Sequence, residues 1–183
     1  MSRVGGAVAG RDAASPGEAA APDQGRALAL EVIELLVARG ETVAVAESLT
    51  GGMLAAALTA IPGASAAFRG GVVAYATDLK TVLLDVPPEL LDRHGAVHPA
   101  VAAAMAEGAR RRMAAGVGAA TTGVAGPDPA DGRPVGTVHI AASTGRGTTV
   151  RSLALSGDRN EIRVTTVERS LGLLISVLRE DNI

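Results

Sequence analysis

The chain has 183 residues, 48% of them apolar, which suits one domain with a sizeable core. A formal charge of −2, a single Phe, a single Tyr and no basic run longer than Arg110-Arg111-Arg112 argue against a nucleic-acid partner, which calls for a basic patch and stacking rings. With no cysteine, disulfides and Cys-based zinc sites are excluded; with no long apolar run and no signal pattern, the expectation is a soluble cytoplasmic protein without a membrane partner.

Residues 1–22 are rich in Ala, Gly, Pro and Ser and lack periodicity, so a disordered tail is expected there and a single folded domain over 23–183. Asp23 is a fair helix cap, Leu28, Val32, Leu35 and Leu36 fall near helical spacing, and Gly40 ends that helix. Thr42–Ala46 reads as a buried strand, Thr50–Ala60 as a helix stopped by Pro62-Gly63, and Gly70–Ala76 as a second strand. Short helices are expected from Asp78 to Leu84 and from Pro88 to Arg93, then a longer one from Pro99 to Met113. Val117–Thr122 is a strand, 123–134 a Gly/Pro-rich loop, Val135–Ser143 and Thr148–Leu155 a hairpin, and Asp158–Leu178 a final amphipathic helix. The alternation predicts an α/β fold, a three-layer α/β/α sandwich, and the late hairpin makes its sheet mixed. Much of the apolar content is alanine, so helices and sheet should pack closely.

Functional loops of such a fold lie at the carboxyl ends of strands. The first, Ala46-Glu47-Ser48-Leu49-Thr50-Gly51-Gly52, joins a strand to a helix, and unpaired N–H groups at a helix start suit a developing oxyanion. Ser48 is placed there as a nucleophile, with Ser48 or Thr50 as a simple N-cap the alternative. His94 and His98 straddle Gly95 and lack a third ligand, so no metal is expected; His139 alternates with Val138 and Ile140 and should face the polar side of its strand. The other base is Lys80, the only lysine, five residues after Tyr75. A lysine activates a serine only if burial or a nearby positive charge lowers its pKa. Tyr75 could bridge Ser48 and Lys80; equally, Lys80 could be a surface residue of a helix start. The third loop, Gly123-Val124-Ala125-Gly126-Pro127, could cradle a phosphate through backbone N–H groups. Arg159 and Arg163 share a helix face and could meet a phosphate, or simply be solvated.

These segments together resemble the CinA C-terminal domain family: AESLTGG at 46–52, IPGAS at 61–65, FRGGVVAY at 68–75, LK at 79–80, RHGAV at 93–97, TTGVAGP at 121–127, PVGTV at 134–138, and the SGDR and IR of 156–163. The resemblance implies an α/β/α sandwich, a homodimer, and an amidohydrolase that converts nicotinamide mononucleotide to nicotinate mononucleotide and ammonia without a cofactor. It carries the family's catalytic serine, tyrosine and lysine to Ser48, Tyr75 and Lys80. Substrate contacts are expected from Glu47, Thr50, Gly51, Gly52, Thr122, Gly123, Gly126, Arg159 and Arg163, with the oxyanion near Gly51 and Gly52. Leu49 stands where many members have Cys, His98 where Ser is common, and 128–132 replaces a longer glycine-rich loop. A non-catalytic binding module and a hydrolase of another small amide remain the rival readings. Some members carry a large additional domain with nucleotide pyrophosphatase activity, which a 22-residue tail cannot hold.

Overall fold

Strand β1 (Val43–Glu47) carries valine and alanine on alternate residues, and successive strand side chains point to opposite faces. Val43 and Val45 enter one apolar cluster, Ala44 and Ala46 another, so β1 is a wall between two cores. A computed structural model of the chain describes residues 24–180; the expected tail over 1–22 and the Asp23 cap lie outside the described residues.

The valine side is covered by α1 (Gln24–Arg39), α2 (Met53–Thr59) and α6 (Arg159–Glu180). The alanine side is covered by α3 (Thr77–Leu84), α4 (Pro88–His94) and α5 (Pro99–Arg112). Between them lies one five-stranded sheet, ordered β2 (Phe68–Val73), β1, β3 (Val117–Gly123), β4 (Thr137–Ser143), β5 (Thr148–Ala154). β2 and β3 run parallel to β1, β4 is antiparallel to β3, and β5 to β4, giving the mixed three-layer sandwich expected from the order of elements. β1, β2 and β3 therefore all end at the same edge.

The alanine-rich face lets backbones approach. A Cβ on Gly118 of β3 would stand 2.0 Å from the Ala106 carbonyl oxygen of α5. One layer out, a Cβ on Gly108 of α5 would stand 2.0 Å from the Leu84 carbonyl oxygen of α3. Sheet, α5 and α3 thus stack almost backbone to backbone, and α3 carries Lys80.

Three local expectations change. Helix α2 begins at Met53, three residues after the expected Thr50, because 48–52 is taken up by turns. A short 3₁₀ turn at Ala64–Ala66 leads into β2, and the hairpin strand begins at Thr137. His139 is buried, not on a polar face: β4 is an interior strand, and its ring is enclosed where Nδ1 bonds to Ser152 Oγ at 2.9 Å. That burial, with His98 and Arg133 nearby, holds the His139 pKa below its ordinary value.

Gly108→Ala drives a methyl into the Leu84 carbonyl. It is expected to cost about 1–3 kcal/mol of stability by overpacking, read as a lower urea midpoint at unchanged slope.

Candidate active site

Each of the three parallel strands delivers one part of the site. β1 runs straight into Ser48, whose N–H still donates to the Thr121 carbonyl at 3.0 Å. β2 passes into Ala74, whose N–H donates to the Glu47 carbonyl at 2.9 Å, and then into Tyr75. α3 turns back from there and tucks Lys80 beneath both. The lysine has no exposed surface and is the largest fully buried side chain among the described residues.

Its Nζ lies 2.8 Å from the Ala74 carbonyl oxygen, 3.4 Å from that of Tyr75 and 3.4 Å from Ser48 Oγ. Burial pushes the amine below its ordinary 10.5, while the Asp131 and Asp78 carboxylates oppose that shift. A neutral amine has two N–H donors and one lone pair. Two of its three partners are carbonyls, which only accept. With both N–H groups on carbonyls, the lone pair is left for the Ser48 hydroxyl, which is the geometry of a serine beside its base.

A cavity opens over this pair. Ser48, Lys80, Thr122, Gly123, Gly126 and Arg159 line it, as does Tyr75. Tyr75 does not bridge serine and lysine as expected. Its carbonyl holds the amine, while its exposed hydroxyl accepts from Arg159 Nη2 at 2.9 Å. Arg159 also donates through Nη1 to the Gly126 carbonyl at 2.7 Å, so it spans the cavity mouth. Thr122 Oγ1 donates to the Ala96 carbonyl at 2.7 Å and is buried.

The remaining expected contacts build the Ser48 loop from behind and do not line the cavity. Glu47 is fully buried, and its carboxylate accepts from the N–H groups of Gly52, Leu54 and Ala55 at 3.0, 3.1 and 2.8 Å. It caps α2, whose first N–H groups have no partners within the helix. Gly51 N–H donates to the Ser48 carbonyl, so neither Gly51 nor Gly52 is left for an oxyanion. The N–H groups of Leu49 and Thr50 carry no hydrogen bond among the described residues. Thr50 is buried with Oγ1 2.8 Å from Thr121 Oγ1. Arg163 grips the loop by donating to the Leu49 and Thr50 carbonyls at 3.0 and 2.9 Å. Arg159 and Arg163 owe their positions to a capping box: Asp158 accepts from the Asn160 and Glu161 N–H groups, and Glu161 accepts in return from Asp158 N–H.

The histidines lie apart from this chemistry. His94 and His98 stack at 4.1 Å, and His98 Nδ1 caps α5 by accepting from Ala100 N–H. Among the described residues no group of three or more His, Asp or Glu is arranged to hold a metal. Asp131, also on the cavity wall, was missed. Its Oδ2 accepts from Ala96 N–H at 2.8 Å. The Asp131-Gly132 dipeptide was the available signal, since Asp-Gly favours a two-residue turn with both residues at positive φ. Here their φ values are 51° and 67°, and Ala130 and Arg133 pair across them.

Glu47→Gln leaves at least one capping N–H without its charged acceptor. It is expected to cost on the order of 2–3 kcal/mol, measured by thermal unfolding.

Comparison with known proteins agrees with this architecture. Residues 25–178 match the model of the CinA C-terminal domain. A CinA-like protein of Frankia casuarinae is 54% identical over 147 residues, 80% of this chain and 34% of that protein. One of Parasynechococcus marenigrum is 50% identical over 80% of this chain and 36% of its own length. The chain spans about a third of the length of these relatives. The crystal structure of the competence/damage inducible protein CihA from Agrobacterium tumefaciens superposes with a TM-score of 0.83 at 37% identity, covering 87% of this chain and 99% of that one. That of a competence or damage-inducible protein from Enterobacter asburiae gives 0.82 at 31% identity, covering 85% and 99%. With the fold, the motif order and these relatives in agreement, the chain belongs to the CinA C-terminal domain family.

Proposed function

We propose that the chain is an amidohydrolase that deamidates nicotinamide mononucleotide, with Ser48 as nucleophile and Lys80 as its base. The observation that carries this reading is the contact between a fully buried, pKa-lowered amine and a serine hydroxyl at the floor of a cavity.

In the neutral state Lys80 holds its two protons on the Ala74 and Tyr75 carbonyls and takes the third from Ser48 as Oγ bonds to the carboxamide carbon. The oxyanion forms against the N–H group of Leu49, which lines the cavity and has no competing acceptor. The Lys80 ammonium returns its proton to the leaving nitrogen, the C–N bond breaks, and ammonia departs from an acyl-serine. Water then adds to the ester carbon, giving its proton to Lys80; Oγ leaves and takes that proton back, and the acid is released. The cationic pyridinium ring of the substrate withdraws electrons from the carbonyl and favours both additions. Arg159 has further N–H donors beyond the two in use and suits the substrate phosphate, while the Asp128 carboxylate on the wall complements the ring cation. Both groups belong to the cavity mouth, so a related small amide is the second reading.

Purified protein is expected to release ammonia from nicotinamide mononucleotide. Ser48→Ala should lower kcat by more than about a hundredfold, and a variant keeping more than about a tenth of wild-type kcat overturns the serine assignment. No release from this substrate but release from another small amide in a panel transfers the reading to that amide.

The lowered Lys80 pKa fixes two pH dependences. kcat/KM should rise with pH as the amine loses its proton, with a midpoint below 10.5. For stability, the unfolded chain binds the Lys80 proton up to about 10.5 whereas the native state releases it earlier, so this group's contribution grows with pH across that window. Lys80→Met should abolish activity and flatten that slope in urea unfolding followed against pH.

A further inference from the structure

Part of the cavity wall is a short non-helical segment between α4 and α5, from which Ala96 and Val97 line the cavity. One residue of it is gripped on both sides. The Ala96 N–H donates to Asp131 Oδ2 at 2.8 Å, and the Ala96 carbonyl accepts from Thr122 Oγ1 at 2.7 Å. The carboxylate reaches it by lying over Gly95, where a Cβ would meet the Asp131 side chain at 3.2 Å and where φ is +73°. The Asp131-Gly132 turn, closed by reciprocal hydrogen bonds between Ala130 and Arg133, aims that carboxylate inward from the 128–133 loop. Oδ2 is occupied by Ala96, and Asp131 has no hydrogen-bonded or ion-paired cation among the described residues.

We propose that Asp131 is a positioning residue of this site: its carboxylate pins the Ala96 wall and supplies the negative charge that balances the ammonium Lys80 becomes when it takes the serine proton. The inference rests on the Ser48–Lys80 reading above. A buried base becomes charged in the step it catalyses, and a fixed opposite charge on the same cavity makes that charging less costly. The groups available to Lys80 are few. Asp78 lies on its own helix, Asp131 and Asp128 come from the 128–133 loop, Arg159 from α6, and Tyr75 from the end of β2. Of the two carboxylates that raise the amine's pKa, Asp131 exerts the larger effect, and only Asp131 lines the cavity. Asp131 therefore ties the strength of the base to the shape of the substrate wall, two properties carried by one side chain.

Lys80 is the only lysine, so full-length protein grown with 13C-labelled lysine shows a single lysine Cε resonance that titrates with the amine. The wild-type midpoint is expected below 10.5. Asp131→Asn, which keeps an oxygen acceptor for Ala96, should lower the midpoint further and reduce the kcat/KM plateau by roughly tenfold. Asp131→Glu, which keeps the charge and disturbs the wall, should leave the midpoint near wild type and raise KM. An unmoved midpoint in Asp131→Asn, with only KM or Tm changed, overturns the proposal and leaves Asp131 a structural residue. A lowered midpoint in a protein that hydrolyses no amide sustains the pairing and overturns only the amidase reading.

Discussion

A primary amine with no exposed surface must find its solvation inside the protein, and the position of Lys80 governs most of what surrounds it. The end of β2 supplies that solvation. Past Val73 the strand stops, and the carbonyls of Ala74 and Tyr75 turn to the amine. For Nζ to reach them and Ser48 together, α3 must lie flat against α5, and α5 against β3. Bulky residues at Gly108 or Gly118 would hold those layers apart. The alanine and glycine content of this face is thus a requirement of the site as well as of the fold.

Ser48 is fixed just as firmly from the other side of the sheet. Glu47 takes the Gly52 N–H and two N–H groups of α2, Thr50 bonds across to Thr121, and Arg163 holds the Leu49 and Thr50 carbonyls. The glycines at 51 and 52, with φ of 60° and 98°, let the chain turn sharply enough for Glu47 to reach the helix it caps. A serine held by a strand on one side and a capped helix on the other loses little freedom on meeting a substrate, which is the value of preorganisation.

Much of the fold was legible because it is written in local periodicity. The stripe of α6, the proline starts of α4 and α5 and the hairpin turn at 144–147 depend only on neighbours in sequence, and each element appears within a few residues of its expected bounds. The roles within the site were less legible, because they depend on partners far away along the chain. Lys80 in Asp-Leu-Lys looks like a solvated helix start until a serine 32 residues earlier is brought against it. Glu47 and Arg163 look like polar groups of a binding loop; one is a buried helix cap and the other a clamp across 114 residues. His139 fails for a related reason. Alternation tells which face a residue occupies, but not that α5 and its cap close over that face.

The site divides by depth, and the division bears on substrate choice. Lys80 and Thr122 are buried, Ser48 is half-buried, and all three are anchored at the ends of β1, β2 and β3. Tyr75, Arg159 and the 128–133 loop are exposed and meet over the opening. Replacement of groups on the floor alters the charge and protons available to any bound molecule. Replacement at the mouth alters which molecule can enter while leaving Ser48 and Lys80 in place. The 128–132 segment falls at the mouth, with one exception. Through Ala96 and Thr122, Asp131 reaches from the mouth to the end of β3, so a change of loop sequence there is felt at the floor of the cavity as well.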